Sequence, residues 1–317
     1  MPDDWSVGKL DLDAYLRRIG YDGPAGTDPS RTTLAALHRA HLAAIPFENL
    51  NLMLGRGIQV DLESIQAKLV DQKRGGYCYE HGQLFGAALE RLGFQVDRLL
   101  ARVGPDGEPV RPRTHLTLRV RTADGGTWLA DVGFGSSPPA PLALTPPTSA
   151  PPSSAPPSSA PPSSAPPSSA PPSSGAPSSG TPSNANGPQD LDGWIYDIVP
   201  DGTPGTWKLR ELQAGEWVTL YRYEDQPAYP ADVVMSNHYT ATYPESWFLQ
   251  LPIVVRRDVG AIHSLLGRTY TVTRPGHVKI RRELTDQEFA AALGDEFGLA
   301  FTPGEVAAIV AFPVHPD

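Results

Sequence analysis

From Pro151 the chain repeats Pro-Pro-Ser-Ser-Ala with a period of five, and Pro146-Pro-Thr-Ser-Ala150 leads into that run. No other feature constrains the fold as much. The segment has almost no apolar side chain to bury, so ordering it would cost backbone entropy with little return. About half of the 35 prolines in the 317 residues fall here, so the proline bias is local. The reading is a disordered or polyproline-II surface loop within Ser136–Pro188, with the insert proper at about 145–188. Its repeat spaces prolines 1, 4, 5 and 6 apart and never three, which is not the PxxP pattern of proline-binding grooves. A period of five also matches no solenoid repeat. Foldable sequence therefore lies on both sides of an insert.

Upstream, residues 1–92 read as helices. Leu12, Tyr15, Leu16 and Ile19 keep helical spacing, and Gly20 then Gly23-Pro24 ends that run. A second helix is expected over about 32–44, with Leu34, Leu37 and Leu42 on its apolar side and Pro46 as its stop. A third is expected over about 62–70. A fourth follows Gly75-Gly76, because Phe85, Leu89 and Leu92 return to the helical face that begins at Cys78.

After Gly93 the period becomes two. The stretch from Val96 to Arg102 reads as a strand, and His115–Val120 and Trp128–Val132 read as a hairpin turning through Ala123-Asp-Gly-Gly. Strands are also expected at 194–199, 206–210 and 217–222, giving a small barrel or open sheet. In the tail, 270–273 and 277–281 read as strands. Thr285 and Thr302 look like caps of two final helices.

A net charge of −9 gives no support to a nucleic-acid partner. No apolar run reaches the roughly 20 residues that span a bilayer, and the start lacks the basic and apolar regions of a signal peptide. The single cysteine rules out an internal disulfide. The expectation is a cytoplasmic protein without membrane or nucleic-acid partners.

A lone cysteine is commonly a small buried hydrophobe. Around Cys78, however, Arg74-Gly-Gly-Tyr-Cys-Tyr-Glu80 sets a cation and two glycines before a helix that starts at the cysteine. A helix N-terminus and a nearby cation stabilise a thiolate. The glycines allow a sharp turn, and free backbone N–H groups there could serve an oxyanion. A cysteine nucleophile also needs a base and a group to orient that base. Eight histidines are present. His38 and His41 are three apart on the second helix, which suits a metal, but no matching cysteine pair or carboxylate supports one. His81 follows the cysteine by three and is one candidate base. His115 is another, because Asp131 lies in the adjacent strand and a carboxylate in an apolar strand demands a partner. Counting from the turn puts Asp131 opposite Leu118 or Arg119, so contact with His115 would need a bulge or a bend.

Four motifs then occur in one order: Ile45-Pro-Phe-Glu-Asn-Leu50, Arg74-Gly-Gly-Tyr-Cys-Tyr-Glu80, Arg113-Thr-His115 and Asp131-Val-Gly-Phe-Gly135. With them the chain resembles the arylamine N-acetyltransferases over nearly its whole length except the insert. The resemblance implies an α+β fold with a cysteine-protease-like Cys-His-Asp core. It divides the chain into a helical domain (1–92), a β-barrel domain (93–225) and an α/β lid (226–317). It implies that Cys78 takes the acetyl group from acetyl-CoA, with His115 as base and Asp131 orienting the imidazole. The acetyl group would pass to an arylamine, hydrazine or N-hydroxyarylamine in a ping-pong cycle, with no metal. By analogy Phe47, Tyr79, Phe134 and Phe248 would line the acceptor pocket, and Thr114, Gly133 and Gly135 would lie near the cofactor. The chain departs from the family pattern at Gly82, where an asparagine often supports the acid. A Cys-His-Asp set in this order also serves amide synthases and transglutaminase-like enzymes, which is the alternative reading. A third is a binding protein that has kept the fold.

Overall fold

The computed structural model describes residues 5–23, 28–106, 110–145 and 187–313. Nearly all of the expected insert lies outside the described residues, as do Pro24 and His315.

Helix α1 (Leu12–Ile19) opens where the Asp11 carboxylate accepts the Ala14 N–H at 2.9 Å and closes at Gly20, whose φ of 65° suits a residue without Cβ. Ser30 caps α2 (Arg31–Ala44). Pro46 keeps Ile45 extended, and the next two residues form strand β1 (Phe47–Glu48). This strand departs from the all-helical reading of 1–92, because it pairs antiparallel with Val254 and Val255 far along the chain. Two short helices follow, α3 (Leu50–Met53) and α4 (Leu62–Ile65). The helix expected to run to Val70 widens instead into a π-helical stretch at Gln66–Asp71. Helix α5 (Cys78–Arg91) starts at the cysteine, as the spacing requires.

Eight antiparallel strands come next: β2 (Gln95–Val103), β3 (His115–Arg121), β4 (Thr127–Ala130), β5 (Leu142–Thr145), β6 (Gln189–Leu191), β7 (Trp194–Pro200), β8 (Thr206–Gln213) and β9 (Glu216–Pro227). Their order is β5-β4-β3-β2-β9-β8-β7-β6, which leaves β5 and β6 as edges. The Gln189 carboxamide bridges those edges. It accepts the Ala143 N–H at 2.7 Å and donates to the Ala143 carbonyl at 3.1 Å, so one side chain imitates a ladder peptide and the barrel nearly closes.

Helix α6 (Pro230–Thr242) leads to strands β10 (Ile253–Asp258), β11 (Ala261–Leu266), β12 (Thr269–Arg274) and β13 (Val278–Glu283). Within the expected α/β lid, the sequence pattern marks no individual helix or strand between 226 and 269. With β1 these strands form a second sheet, β1-β10-β11-β12-β13. Helices α7 (Asp286–Asp295) and α8 (Pro303–Val310) begin at Thr285 and Thr302, each in a full capping box.

The fold is α+β with two hydrophobic cores. One packs α1, α2 and α5 on β3 and β4 through Leu34, Leu37, Leu84, Phe85 and Leu89. Each such fully buried side chain contributes about 1.5–3 kcal/mol of transfer free energy. The other lies among the barrel, β10–β12 and the last helices, and it includes Tyr77, Cys78 and Tyr79. Cys78 therefore sits where the two cores meet. No helix among the described residues is long and apolar enough to cross a membrane.

Candidate active site

Local chemistry fixes the turn before α5. Glu80 accepts the Tyr77 N–H at 3.0 Å and so satisfies a donor at the helix entrance. Its other oxygen takes Lys68 Nζ at 2.8 Å. The glycines serve close approach rather than a left-handed turn. A Cβ on Gly75 would stand 2.2 Å from the Pro46 carbonyl oxygen, and one on Gly76 would stand 2.7 Å from Glu80 Oε2. The Gly76 N–H already bonds the Pro46 carbonyl, which takes it out of any oxyanion role. Arg74 is also committed elsewhere. It pairs with Glu48 at 2.9 Å and lies over the Phe301 ring at 3.9 Å, so it is not the thiolate's cation.

The cysteine is the first residue of a 14-residue helix and is buried. Its Sγ donates to the Thr114 carbonyl at 3.5 Å. Burial pushes the thiol up, and the Asp131 charge adds to that, while the N–H groups of Leu116 and Tyr79 pull the other way. A depressed thiol was the expectation from the helix terminus. In this cleft desolvation outweighs it.

Strands β3 and β4 keep a regular register from Arg121↔Thr127 to Leu118↔Ala130. Continued by one residue, that ladder sets Asp131 across from Thr117, not from Leu118 or Arg119, and no bulge is involved. His115 and Thr117 share a strand face, so the aspartate and the histidine are diagonal neighbours. The chain leaves the ladder at Asp131, and His115 Nε2 meets Asp131 Oδ2 at 2.7 Å. That leaves Nδ1 as the ring nitrogen available to a reacting group.

Asp131 is held on every side. The Tyr221 hydroxyl donates to Oδ2 at 2.7 Å, the Gly133 N–H donates to Oδ1 at 2.9 Å, and His38 Nε2 donates to the backbone carbonyl at 3.1 Å. Burial opposes its charge. His115, Tyr221 and Gly133 outweigh burial and hold the carboxyl below its ordinary range. Tyr221 is the residue that sequence reasoning missed. The only available signal was its place in an alternating strand, which cannot tell which tyrosine reaches past β2 and β3 to the acid. Gly82 needs no asparagine's function here. A Cβ at Gly82 would meet Leu116 Cδ2 at 2.8 Å, so the glycine lets β3 approach the helix.

The remaining histidine readings are corrected. His81 does not face the cysteine; its Nδ1 bonds His41 at 2.8 Å and its Nε2 lies 3.3 Å from the Pro46 carbonyl. His41 also bonds the Tyr15 hydroxyl, so His38 and His41 serve different partners and do not converge on a metal. No group of three or more His, Cys, Asp or Glu suited to a metal occurs among the described residues.

A cleft of about 1140 Å³ opens beside the cysteine. Of the ten residues singled out from sequence, Cys78, His115, Phe47, Phe134, Phe248, Thr114, Gly133 and Gly135 line it. Asp131 lies behind His115. Tyr79 departs from its expected place in the acceptor pocket: it is fully buried, with its hydroxyl 3.2 Å from Thr240. Gly133 presses on the cysteine, since a Cβ there would stand 2.9 Å from the Cys78 carbonyl oxygen. The His115, Phe134 and Tyr221 rings form a triangle, with centroids 5.2 Å (His115–Phe134), 4.9 Å (His115–Tyr221) and 5.2 Å (Phe134–Tyr221) apart. Asn49, just after β1, ties that strand to the segment leading into β10 by donating to the Phe248 and Leu251 carbonyls and accepting the Ile253 N–H. A buried thiol, an imidazole and an oriented carboxylate beside an aromatic cleft can perform acyl transfer through a thioester.

A family model described as N-acetyltransferase matches residues 31–156 and 180–306. An arylamine N-acetyltransferase of Mycolicibacterium smegmatis is 33% identical over 297 residues, covering 92% of this chain and 92% of that protein. The crystal structure of the Nocardia farcinica arylamine N-acetyltransferase superposes with a TM-score of 0.79 at 33% identity, covering 97% of this chain and 95% of the other. The Mycobacterium marinum arylamine N-acetyltransferase in complex with CoA gives 0.76 at 29% identity, covering 96% and 100%.

Proposed function

The chain belongs to the arylamine N-acetyltransferase family, and from that premise we propose that it carries an acetyl group from acetyl-CoA to an aromatic amine by way of Cys78. Acetyl-CoA supplies an activated thioester. His115 takes the thiol proton at Nδ1, and Asp131 stabilises the imidazolium that forms. The Cys78 sulfur bonds to the acetyl carbon, the bond to the coenzyme sulfur breaks, and the proton on His115 leaves with that sulfur. In the second half, the acceptor nitrogen bonds to the same carbon. Its proton passes through His115 to the departing Cys78 sulfur, which restores the thiol. Arylamines, hydrazines and N-hydroxyarylamines fit this scheme as acceptors.

The observation that carries the reading is the 2.7 Å contact of His115, which lines the cleft with Cys78, to Asp131 behind it. Burial of the resting thiol fits it. A buried thiol becomes a useful nucleophile when its proton moves to the imidazole that shares its cleft. Phe47, Phe134 and Phe248 offer ring faces to a flat amine. Arg111, His277 and Lys279 line the same cleft and suit the anionic part of the donor. Thr114, Gly133 and Gly135 stay in the proposal as residues near the donor. Residues 1–92, 93–225 and 226–317 are the proposed domains, and the cytoplasm, with its coenzyme A, is the proposed compartment.

Intact mass after mixing with acetyl-CoA alone tests the reading. One added acetyl group is expected, lost on adding an arylamine and absent in Cys78→Ala. A thiol that stays open to alkylation and gains no acetyl group would overturn it in favour of an amide-forming enzyme with the same three residues.

A further inference from the structure

Helix α6 is built inside out. The face it buries carries Val233, Asn237 and Thr240, two of them polar. Those polar groups have specific partners: Asn237 bonds the Tyr77 hydroxyl and the Ile58 carbonyl, and Thr240 meets the Tyr79 hydroxyl. The helix is thus docked by hydrogen bonds onto the residues on either side of Cys78. Much of its solvent side, Val234, Met235 and Tyr239 beside His238 and Thr242, is apolar where a surface helix is ordinarily polar. Met235 is 72% exposed, Tyr239 37% and Tyr243 39%, and just beyond the helix Trp247 is 47% exposed. The Tyr239 and Tyr243 rings stack at 4.7 Å with 15° between their planes. The Tyr243 hydroxyl donates to Glu245 at 3.2 Å, which ties down the outer ring. An exposed aromatic group of this extent marks a binding surface.

This surface is continuous with the catalytic cleft. Tyr239, Tyr243 and Trp247 share the cavity wall with Phe248 and Cys78. An acceptor whose amine meets the cysteine thioester lays its far end along that wall. Resting on the acetyl-transfer reading above, we propose that Tyr239, Tyr243 and Trp247 form a distal aromatic shelf that selects acceptors carrying a second ring beyond the ring that bears the amine. A one-ring amine is held by Phe47, Phe134 and Phe248 and gains nothing from the shelf. A two-ring amine adds stacking on its outer ring.

The test compares 4-aminobiphenyl with aniline on the full chain and on the double variant Tyr243→Ala/Trp247→Ala. The kcat/KM ratio of the two-ring to the one-ring amine should fall about tenfold, the size expected for loss of one good stacking contact. Tyr243→Phe keeps the ring and should keep the ratio. Calorimetric titration of 4-aminobiphenyl into Cys78→Ala, with and without the two shelf substitutions, reads the shelf without turnover. Weaker binding there upholds the shelf even if Cys78 never accepts an acetyl group, an outcome that would sink only the acetyl-transfer reading. An unchanged ratio and unchanged affinity would overturn the shelf. So would a dimer in sedimentation that the double variant dissolves while the ratio holds, since the aromatic face would then belong to a second copy.

Discussion

Helices α5 and α6 flank the same cleft and are nearly equal in length, at 14 and 13 residues, yet they are held by opposite means. Helix α5 buries every residue from Cys78 to Gly82 and from Leu84 to Leu89. Gly82 and Gly86 lie one turn apart, and a Cβ on either would strike the Leu116 side chain of β3 or the Arg98 guanidinium of β2, so barrel side chains press directly on the helix at both glycines. Helix α6 touches the same site through three side chains and leaves its apolar side to solvent. A helix fixed by packing can aim a reacting atom. A helix fixed by a few hydrogen bonds can present a surface. Under the proposed function, the contrast separates what positions the chemistry from what meets the acceptor.

The comparison can be broken at its strongest point first. Cys78→Ala should abolish turnover while the thermal midpoint stays within a few degrees, because one sulfur atom contributes little packing; a variant that still acetylated an aromatic amine would remove α5 from the chemistry. Phe85→Ala, in the packed half of α5, should cost about 3–5 kcal/mol in denaturant unfolding. Tyr221→Phe takes from Asp131 a hydrogen bond to a charged group, worth about 1.5–3 kcal/mol. Its kcat should fall by roughly ten- to a hundredfold, with a loss of similar size in unfolding free energy, and an unchanged kcat would show that Gly133 and His115 suffice.

Smaller effects sharpen the contrast. Burial lowers His38 and His81 to about 4. The unfolded chain therefore binds more protons than the folded one between their unfolded value near 6.5 and about 4. Stability should be complete above that window and be lost as pH falls through it, by about 1.4 kcal/mol per pH unit for each histidine. Glu80, raised by its burial, works the other way where its own titration overlaps the window. A chemical-denaturation series from pH 7 to pH 4 reads the sum, and a flat profile would contradict the buried, neutral histidines. At the small end, Val234→Ser on the solvent side of α6 should change stability by no more than about 0.5 kcal/mol. A larger loss would mean that this face is covered after all.

Much of this was legible in the residues. The periodicity from Cys78 to Leu92 requires α5, and the glycine-rich turn between β3 and β4 requires their pairing. The link between His115 and Asp131 was harder, since counting from the turn depends on where the ladder starts and gave a register one or two residues off. Diagonal contact across a regular ladder solved what had seemed to need a bulge. Tyr221 was beyond reach, because its role depends on the order and curvature of the sheet, which bring a β9 side chain past β2 and β3 to the end of β4. Strand β1 was hidden for a similar reason: two extended residues after a proline become a strand only when a partner 206 positions later (Glu48 with Val254) supplies the ladder. Arg74 misled because a cation next to a cysteine in sequence had a better partner in Glu48. Helix α6 went unread since its apolar residues do not mark its buried side.

Gln189 joins the strands that border residues 146–186, so the two ends of that stretch leave the barrel side by side. The staple belongs to the described barrel and pairs the β5 and β6 edges through one side chain. Changes of chain length between those edges should therefore leave the β3–β4 ladder, and the histidine and aspartate at its end, in register.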